Sequence, residues 1–458
     1  MTDTKVLKGQ PSSFIRWLAL ILISLAMFGN YYIYDSISPL ADLLKEQLGF
    51  SDSNIGLLNA IYSFPNIIMV LIGGVIIDKI GTRKSVIIFT VLIMIGAVVT
   101  AINGSLVTMA TGRLIFGLGA ESMIVAITTI IARWFKGKEL SFAFGINLTV
   151  ARLGSFLALN SPTIAKSFFN DWQKPLMITV AAGIFALICI AFYYVLDVYA
   201  TKKYDMPKDG SQDKIEIKEL FKFGVSFWFI TALCVTFYSA MFPFQTFAIK
   251  FFQEAHGTTR EVGGNLSSIL TLAAMVFTPL FGLLSDKIGK RSLLMMLGAV
   301  AIIPVYLIMG YNIDLATFIG LNGGIHVNMP FFGIEEAVIP YKLIVPMAMM
   351  GFAFSLIPAV MWPSVALVVK EEKLGTAYGL MTMIQNIGLF GFNLMIGWAN
   401  DFSGASATNP TGYRLGMWIF SILGFLGLFF AFMLRRNEMG PNAHGLELSA
   451  KEKAAKLI

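Results

Sequence analysis

The sequence predicts an all-α membrane protein in which twelve transmembrane helices form two pseudo-symmetric six-helix halves. Composition is the first reason: 56% of the 458 residues are hydrophobic and 13% are charged, whereas soluble domains carry about 25% charged residues. The second reason is a series of apolar segments long enough to cross a bilayer. The third is a motif of the first half that recurs in the second. The net charge of +7 is therefore no sign of nucleic-acid binding. In a membrane protein the distribution of Lys and Arg between the loops instead indicates the orientation in the membrane.

Twelve apolar segments are each long enough to span a membrane. They cover residues 15–42, 53–79, 84–103, 106–133, 138–165, 174–198, 224–252, 259–286, 291–311, 341–369, 373–400 and 412–435. An even number of spans places both termini on the same side. With the termini inside, the inner loops and tails hold 25 Lys and Arg residues and the outer loops hold 7. Because inner loops are enriched in Lys and Arg, we expect both termini in the cytoplasm.

The chain divides at a charged stretch, residues 199–223. Its mixed charges, with Pro207 and Gly210, predict a cytoplasmic linker that carries at most a short surface helix at Ile215–Phe221. We therefore expect one half at residues 1–198, a second at 224–440 and a cytoplasmic tail at 441–458. An additional apolar, Gly-rich outer loop near 311–340 fits a re-entrant segment, a lid or an ordered loop. We expect no metal site and no cofactor, because the two cysteines have no ligand-like companions.

The repeated motif lies at the inner end of the second segment. Residues 74–84 recur as 282–291, an offset of 208. Gly74 would let helices approach closely, and Arg83 would pair with Asp78 or with a neighbouring helix end. We expect these contacts to stabilise one conformation of the protein. The alternative is a basic turn that has no gating role and is basic only because inner loops are enriched in Lys and Arg. The predicted gating residues are Gly74, Asp78, Arg83, Lys84, Gly282, Asp286, Lys290 and Arg291, together with Arg113, which is either structural or part of the access path.

Two charges lie deep within neighbouring apolar segments. Glu121 comes about 12 residues before the basic turn at 133–138, and Arg152 about 14 after it. At about 1.5 Å of rise per residue, both fall roughly 18–21 Å from the turn, near the bilayer midplane. An intramembrane charge costs at least ~2.5–3.5 kcal/mol, so such residues are usually functional. The alternatives are a binding site for charged groups, a structural ion pair, or a pair that a substrate separates.

Other polar residues are weaker predictions for the lining of the same site. Asp35 would bind an ammonium group, carry a proton, or lie near the outer surface and do neither. We expect each of the other residues either to line the cavity or to form packing and hydrogen-bond contacts between helices. The predicted lining residues are Tyr31, Tyr34, Asp35, Tyr62, Tyr238, Trp362, Gln385 and Asn386.

These motifs resemble the major facilitator superfamily, whose fourth-helix motif is similar to residues 113–119. The similarity narrows to one branch, that of major facilitator superfamily domain-containing protein one, whose lysosomal member is a dipeptide uniporter. The residues that carry it are 29–35, 62–66, 119–122, 134–140, 151–155, 362–363, 374–379 and 384–386. The resemblance implies that Glu121 binds the ammonium of a dipeptide and that Arg152 binds its carboxylate. The resemblance departs at the linker, at the 311–340 loop and at both tails. The N-terminal tail contains no acidic dileucine signal for sorting to the lysosome. We therefore expect a bacterial inner membrane and not a lysosome.

We predict a transporter of dipeptides or similar small zwitterions that works by alternating access, as a uniporter. The alternative is a proton-coupled symporter of small organic anions or peptides, with Arg152 for the anion and Glu121 or Asp35 for the proton. A membrane sensor is a third possibility. We do not expect an enzyme, because the sequence shows no set of a nucleophile and a neighbouring base. We expect a small-molecule substrate and the lipid bilayer as partners, no nucleic acid, and a monomer, with an accessory subunit left open.

Overall fold

The structure, a computed structural model, describes residues 11–135, 139–204, 223–329, 334–370, 373–441, 443–449 and 452. Within these residues, eleven helical spans are long and apolar enough to cross a membrane. The bent pair Asp52–Val70 and Ile72–Ile80, with 53° between its parts, makes a twelfth. The spans correspond one for one to the twelve apolar segments of the sequence.

The helices follow one another with short connections. Those of the first half are α1 (Ser13–Asp35), α2 (Ala41–Leu48), α3 (Asp52–Ala60), α4 (Ser63–Ile80), α5 (Thr82–Ile102), α6 (Leu106–Trp134), α7 (Leu140–Leu159), α8 (Ser161–Ile164) and α9 (Gln173–Lys203). Those of the second half are α10 (Val225–His256), α11 (Arg260–Ile288), α12 (Arg291–Gly310), α13 (Leu315–Phe318), α14 (Tyr341–Val368), α15 (Leu374–Phe402) and α16 (Arg414–Glu438). The predicted ends differ by a few residues, most at the first span, which continues through α2.

The first two spans are both interrupted. The first breaks after Asp35, where a short 3-10 turn, Ser38–Leu40, contains Pro39. A proline has no backbone N–H and disfavours helix in the preceding residue, so Pro39 weakens a continuous helix at this point. The second span is interrupted between α3 and α4, at Ile61 and Tyr62. Both breaks leave backbone carbonyls without helical partners inside the membrane.

The additional outer loop is ordered. It contains α13 and a two-stranded antiparallel hairpin of β1 (Gly324–Met329) and β2 (Ile334–Pro340), with Gly324 opposite Pro340. Of the three alternatives, the described residues therefore fit an ordered outer loop. The predicted linker helix at Ile215–Phe221 lies outside the described residues.

The two halves are packed together at the outer ends of their helices. A Cβ on Gly397 of α15 would lie 2.5 Å from the backbone oxygen of Asp52, and one on Gly264 of α11 would lie 2.3 Å from that of Leu159. Only glycine permits such an approach. Toward the inner ends of the same four spans, a Cβ added to a glycine would meet no heavy atom of the described residues within 4 Å. These glycines are Gly74, Gly145, Gly282 and Gly375.

The halves are thus closed at the outer side and separated at the inner side. With both termini cytoplasmic, as the charge distribution predicts, this is a cytoplasm-open conformation. The expected close approach at Gly74 is wrong for this conformation, because a Cβ there would meet no heavy atom of the described residues within 4 Å. The close contacts between α3 and α15 lie instead at the outer ends, where glycine occurs in both helices.

Charged groups reinforce the closed outer side, and we call them the outer seal. Arg260 of the second half binds Asp42 of the first, with its Nη2 2.6 Å from Oδ2. Lys250 lies 2.8 Å from Asp52, and the side chains of both are almost fully buried. Asp401 accepts hydrogen bonds from the first backbone N–H groups of α3, so it caps a helix of the opposite half. Opening the outer side requires that these contacts separate.

The inner motif makes contacts within each half. Arg83 binds the buried carboxylate of Asp197 at the inner end of α9, with Nε 2.6 Å from Oδ2, and Arg133 binds the same carboxylate. A neighbouring helix end, and not Asp78, is therefore the partner of Arg83. In the second copy Arg291 pairs with Asp286. Lys84 and Lys290 are exposed, and the gating role of the motif stays a prediction.

The close glycine contacts predict a shift of conformation. In Gly397→Val the new side chain would collide with the backbone of Asp52, so the outer ends should separate. We expect the distance between spin labels at Glu46 and Thr408, measured by double electron–electron resonance with the native cysteines replaced, to move to longer values. Gly74→Val is the matched control and should leave this distance short, because its side chain meets nothing here. Equal distances in the two variants would contradict the proposed closure at Gly397.

Candidate functional site

A cavity of about 260 Å³ lies between the halves. Helices of both halves line it. Eight predicted lining residues surround it: Tyr31, Tyr34, Tyr62, Glu121, Arg152, Tyr238, Trp362 and Gln385. Side chains that the sequence analysis did not single out, including Asn30, Phe116, Phe242 and Thr382, complete the lining.

Glycines set the positions of the two charged side chains. A Cβ on Gly117 would lie 2.2 Å from the backbone oxygen of Tyr62, so α6 runs directly against the interrupted second span. One turn later on the same helix, Glu121 faces the cavity. A Cβ on Gly154 would lie 2.2 Å from the backbone oxygen of Phe28, which brings α7 against α1 and directs Arg152 to the same cavity. Both charges therefore reach the cavity from the first half.

The two charges do not pair with each other. Among the described residues, no nitrogen of Arg152 lies within 4.0 Å of a carboxylate oxygen of Glu121, and neither side chain forms a hydrogen bond. The Arg152 guanidinium instead lies over two aromatic rings, 5.4 Å from the centroid of Tyr31 and 5.4 Å from that of Phe354. The alternative of a structural ion pair is therefore not realised in this conformation. The cavity contains an unpaired carboxylate and an unpaired guanidinium.

The second half contributes an aromatic and neutral polar wall. Trp362 Nε1 donates a hydrogen bond of 2.9 Å to the hydroxyl of Tyr238. The Tyr238 ring is stacked on Phe242, with centroids 5.5 Å apart and planes at 7°. Gln385 accepts a hydrogen bond from the Cys234 thiol through its Oε1, which leaves its NH₂ group to donate into the cavity. This wall offers hydrogen bonds and apolar surface but carries no formal charge.

Two predicted residues do not line the cavity. Asn386 is 1% exposed and donates to the backbone oxygen of Thr382. It follows Gln385 directly, and successive helix positions point about 100° apart, so the two cannot share a face. Asp35 lies one turn beyond Tyr31 toward the outer side. There it lines a pocket of about 10 Å³, room for about one water molecule, next to the outer seal.

Arg113 has a structural environment. Its guanidinium donates to the backbone oxygens of Leu58, Ile33 and Tyr34, at 3.0–3.1 Å. These carbonyls belong to the ends of helical segments next to the two breaks, where helical partners are missing. Arg113 is 1% exposed and does not line the cavity. The sequence shows a charge at this position but not its role, because the acceptors are carbonyls that only the helix breaks expose.

Some of the cavity residues that the sequence analysis missed could have been predicted from helical spacing. Phe242 follows Tyr238 by four positions and Thr382 precedes Gln385 by three, so each lies on the same helix face as a predicted residue. Phe354 could not have been found this way. It belongs to α14 of the opposite half, and its contact with Arg152 depends on how the halves meet.

Comparison with known proteins identifies the family. The model of the Major Facilitator Superfamily matches residues 23–340 and 245–456 of this chain. The chain belongs to the major facilitator superfamily. It is therefore a multi-pass membrane transporter of small molecules and not an enzyme, and the predicted fold class is confirmed.

Several members of this superfamily are similar along most of the chain. The lysosomal dipeptide transporter MFSD1 of Homo sapiens is 31% identical over 402 residues, covering 85% of this chain and 81% of that protein. The Bos taurus protein of the same name is 30% identical, covering 85% and 80%. The probable sulfoacetate transporter SauU of Cupriavidus necator is 23% identical, covering 80% and 83%. A mutant of the nucleoside transporter NupG has a similar fold, with a TM-score of 0.67 at 14% identity, covering 91% of this chain and 99% of that one. The predicted branch, that of MFSD1, is confirmed.

We expect lysine substitutions of the two intramembrane arginines to differ in their effect on thermal stability. Arg113→Lys retains the charge but loses the planar fork, so at least one buried carbonyl loses its donor, at a cost of ~1–3 kcal/mol for each. We expect a clearly lower thermal unfolding midpoint, followed by tryptophan fluorescence in detergent. Arg152→Lys is the matched control and should unfold near the wild-type midpoint, because Arg152 holds no buried backbone acceptor. A wild-type midpoint for Arg113→Lys would show that Arg113 does not stabilise the helix breaks.

Proposed function

We propose that this protein transports dipeptides, or zwitterions of similar size, by alternating access and without coupling to protons. One observation carries the proposal: Glu121 and Arg152 face one cavity and remain unpaired. An unpaired charge away from water is costly, and an ion that brings the opposite charge removes this cost. A substrate with a positive and a negative end does so for both side chains at once.

The chemistry of a dipeptide matches this arrangement. Two residues of extended chain span at most about 7 Å, so the ammonium and the carboxylate of a dipeptide lie at opposite ends of a short chain. Glu121 would accept hydrogen bonds from the ammonium. The guanidinium of Arg152 would bind the carboxylate in a bidentate manner. The free NH₂ group of Gln385 is a donor for the peptide carbonyl between them.

The names of the relatives support a dipeptide more than an anion. MFSD1, about 30% identical, is named a dipeptide transporter. The more distant relatives include a probable sulfoacetate transporter and a galacturonate transporter, names that favour the runner-up, symport of organic anions. An anion would satisfy Arg152 but leave Glu121 unpaired in the same cavity. The presence of Glu121 therefore favours the zwitterion.

The membrane of residence and the oligomeric state are separate proposals. The relatives of about 30% identity are named lysosomal, whereas the sequence analysis predicts a bacterial inner membrane. We retain the latter proposal, with cytoplasmic termini, and a monomer as the working state. Either membrane gives the outer seal the same orientation, away from the cytoplasm.

The charged pair gives the first test. We expect Glu121→Gln and Arg152→Ala each to abolish uptake of alanyl-alanine into proteoliposomes while the protein remains monodisperse. Arg152→Lys should also be impaired, because a point charge does not replace the bidentate fork. Blocking either end of the ligand should have the same effect, so N-acetylated and C-amidated alanyl-alanine should lose binding to the wild type. Normal uptake by Glu121→Gln, or equal binding of a capped ligand, would overturn the assignment.

Proton coupling gives the second test. The proposal treats Glu121 as an ion that pairs with the ammonium and does not exchange a proton during the cycle. A dipeptide gradient alone should therefore drive flux in proteoliposomes, and an imposed proton gradient, alkaline inside, should produce no accumulation above equilibrium. An overshoot that a protonophore abolishes would instead establish the symporter. Asp35→Asn would then be expected to retain exchange and lose the overshoot.

A further inference from the structure

We propose that Phe354 is a positioning residue that keeps the two charges of the cavity apart and so keeps the empty site ready for a zwitterion. The inference rests on the proposed function, since it assigns Arg152 to the substrate carboxylate. It names a residue of the second half that neither lines the cavity nor belongs to a sequence motif. It also explains why an ion pair that the cavity should favour is not formed.

The absence of the ion pair needs a cause. Glu121 and Arg152 border the same cavity, and opposite charges attract strongly where water is scarce. An arginine side chain is long and has several rotamers, so its guanidinium can take more than one position at the edge of the cavity. A collapsed pair would neutralise both groups, and a substrate would have to break it before binding. Some other interaction must hold the guanidinium in place.

Aromatic rings provide that interaction from both sides of the interface. The Arg152 guanidinium carbon lies 5.4 Å from the ring centroid of Tyr31 in its own half and 5.4 Å from that of Phe354 in the other. Both distances are within the range of cation–π attraction, which strengthens when the groups are desolvated. Among the described residues these rings are the cation–π contacts of the guanidinium, and Asp35, which lies outside the cavity, also interacts with it electrostatically. The ring contacts leave its N–H groups free for a carboxylate.

Phe354 is itself held firmly. It is 3% exposed, lies 6.4 Å from the Phe237 ring in a stacked arrangement, and meets Phe242 edge-on at 6.0 Å. Phe242 is stacked in turn on Tyr238 of the cavity wall. The ring therefore cannot follow Arg152 if the guanidinium moves. A fixed ring on one half thus defines the position of a mobile cation on the other.

The test compares side chains of different chemistry at this position. In Phe354→Leu the π face is lost, so Arg152 should collapse onto Glu121. We expect the KM for alanyl-alanine uptake to rise about tenfold, the range of one cation–π contact, with little change of the maximal rate. Phe354→Met should behave in the same way and serves if the leucine variant fails to fold. Phe354→Tyr retains the ring and should restore a KM near that of the wild type.

Two comparisons separate positioning from loss of packing. Phe420→Leu removes the same atoms from the core of the second half, where Phe420 packs on Tyr306 and Phe244, and should leave KM unchanged. In a Glu121→Gln background the carboxylate that shares the cavity with Arg152 is absent. Asp35, which also interacts electrostatically with Arg152, lines a different pocket. In this background Phe354→Leu should not change the binding of N-acetyl-alanyl-alanine, a ligand with only the carboxylate, measured by calorimetry.

The outcomes are distinguishable from those that test the proposed function. If Glu121→Gln and Arg152→Ala lose uptake but Phe354→Leu and Phe354→Met behave as the wild type, the positioning role alone is overturned. It is also overturned if Phe354→Leu weakens the acetylated ligand equally in the Glu121→Gln background. If Glu121→Gln and Arg152→Ala transport normally, the proposed function fails and this inference fails with it.

Discussion

The arrangement depends on one electrostatic constraint: two opposite charges stand unpaired in the interior of a membrane protein. Glu121 and Arg152 are stable there only because a cavity admits water or substrate and because aromatic rings face the guanidinium. A fully dry interior would force neutralisation or pairing. The glycines that bring α6 and α7 against neighbouring helices, Gly117 and Gly154, can be understood as the means of presenting both charges to one space.

The closed outer side is built from a different kind of contact. Asp52 and Lys250 pair across the halves while buried, and Asp401 caps a helix of the opposite half. These partners are charged and satisfied, in contrast to the unsatisfied pair of the cavity. The satisfied charges join the two halves at the outer side, and in the proposed function the unsatisfied charges bind the ligand. The ion pairs between the halves and the charges of the cavity are therefore two separate groups of intramembrane ions.

The sequence is informative wherever position along a helix determines position in space. Depth follows from residue count, so the sequence alone locates Glu121 and Arg152 near the bilayer midplane. The same count places Arg113 but cannot predict its role, because its partners are carbonyls exposed by helix breaks. The sequence also predicts a close contact at Gly74, whereas in this conformation a Cβ there would meet no heavy atom of the described residues within 4 Å. Phe354 could not be found because its contact crosses between halves, and no periodicity within one helix reports such a contact.

Both charges belong to the first half, and under the proposed function this asymmetry has a consequence for motion. A ligand bonded at its two ends to one rigid body keeps the same coordinates in that body throughout a rocking movement. The aromatic wall of the second half, which includes Tyr238 and Trp362, then slides past a stationary cargo. No ionic bond to the cargo has to be exchanged at the midpoint. The barrier to the swing is set there by short-range, weakly directional ring contacts, and not by the transfer of a charge between two partners.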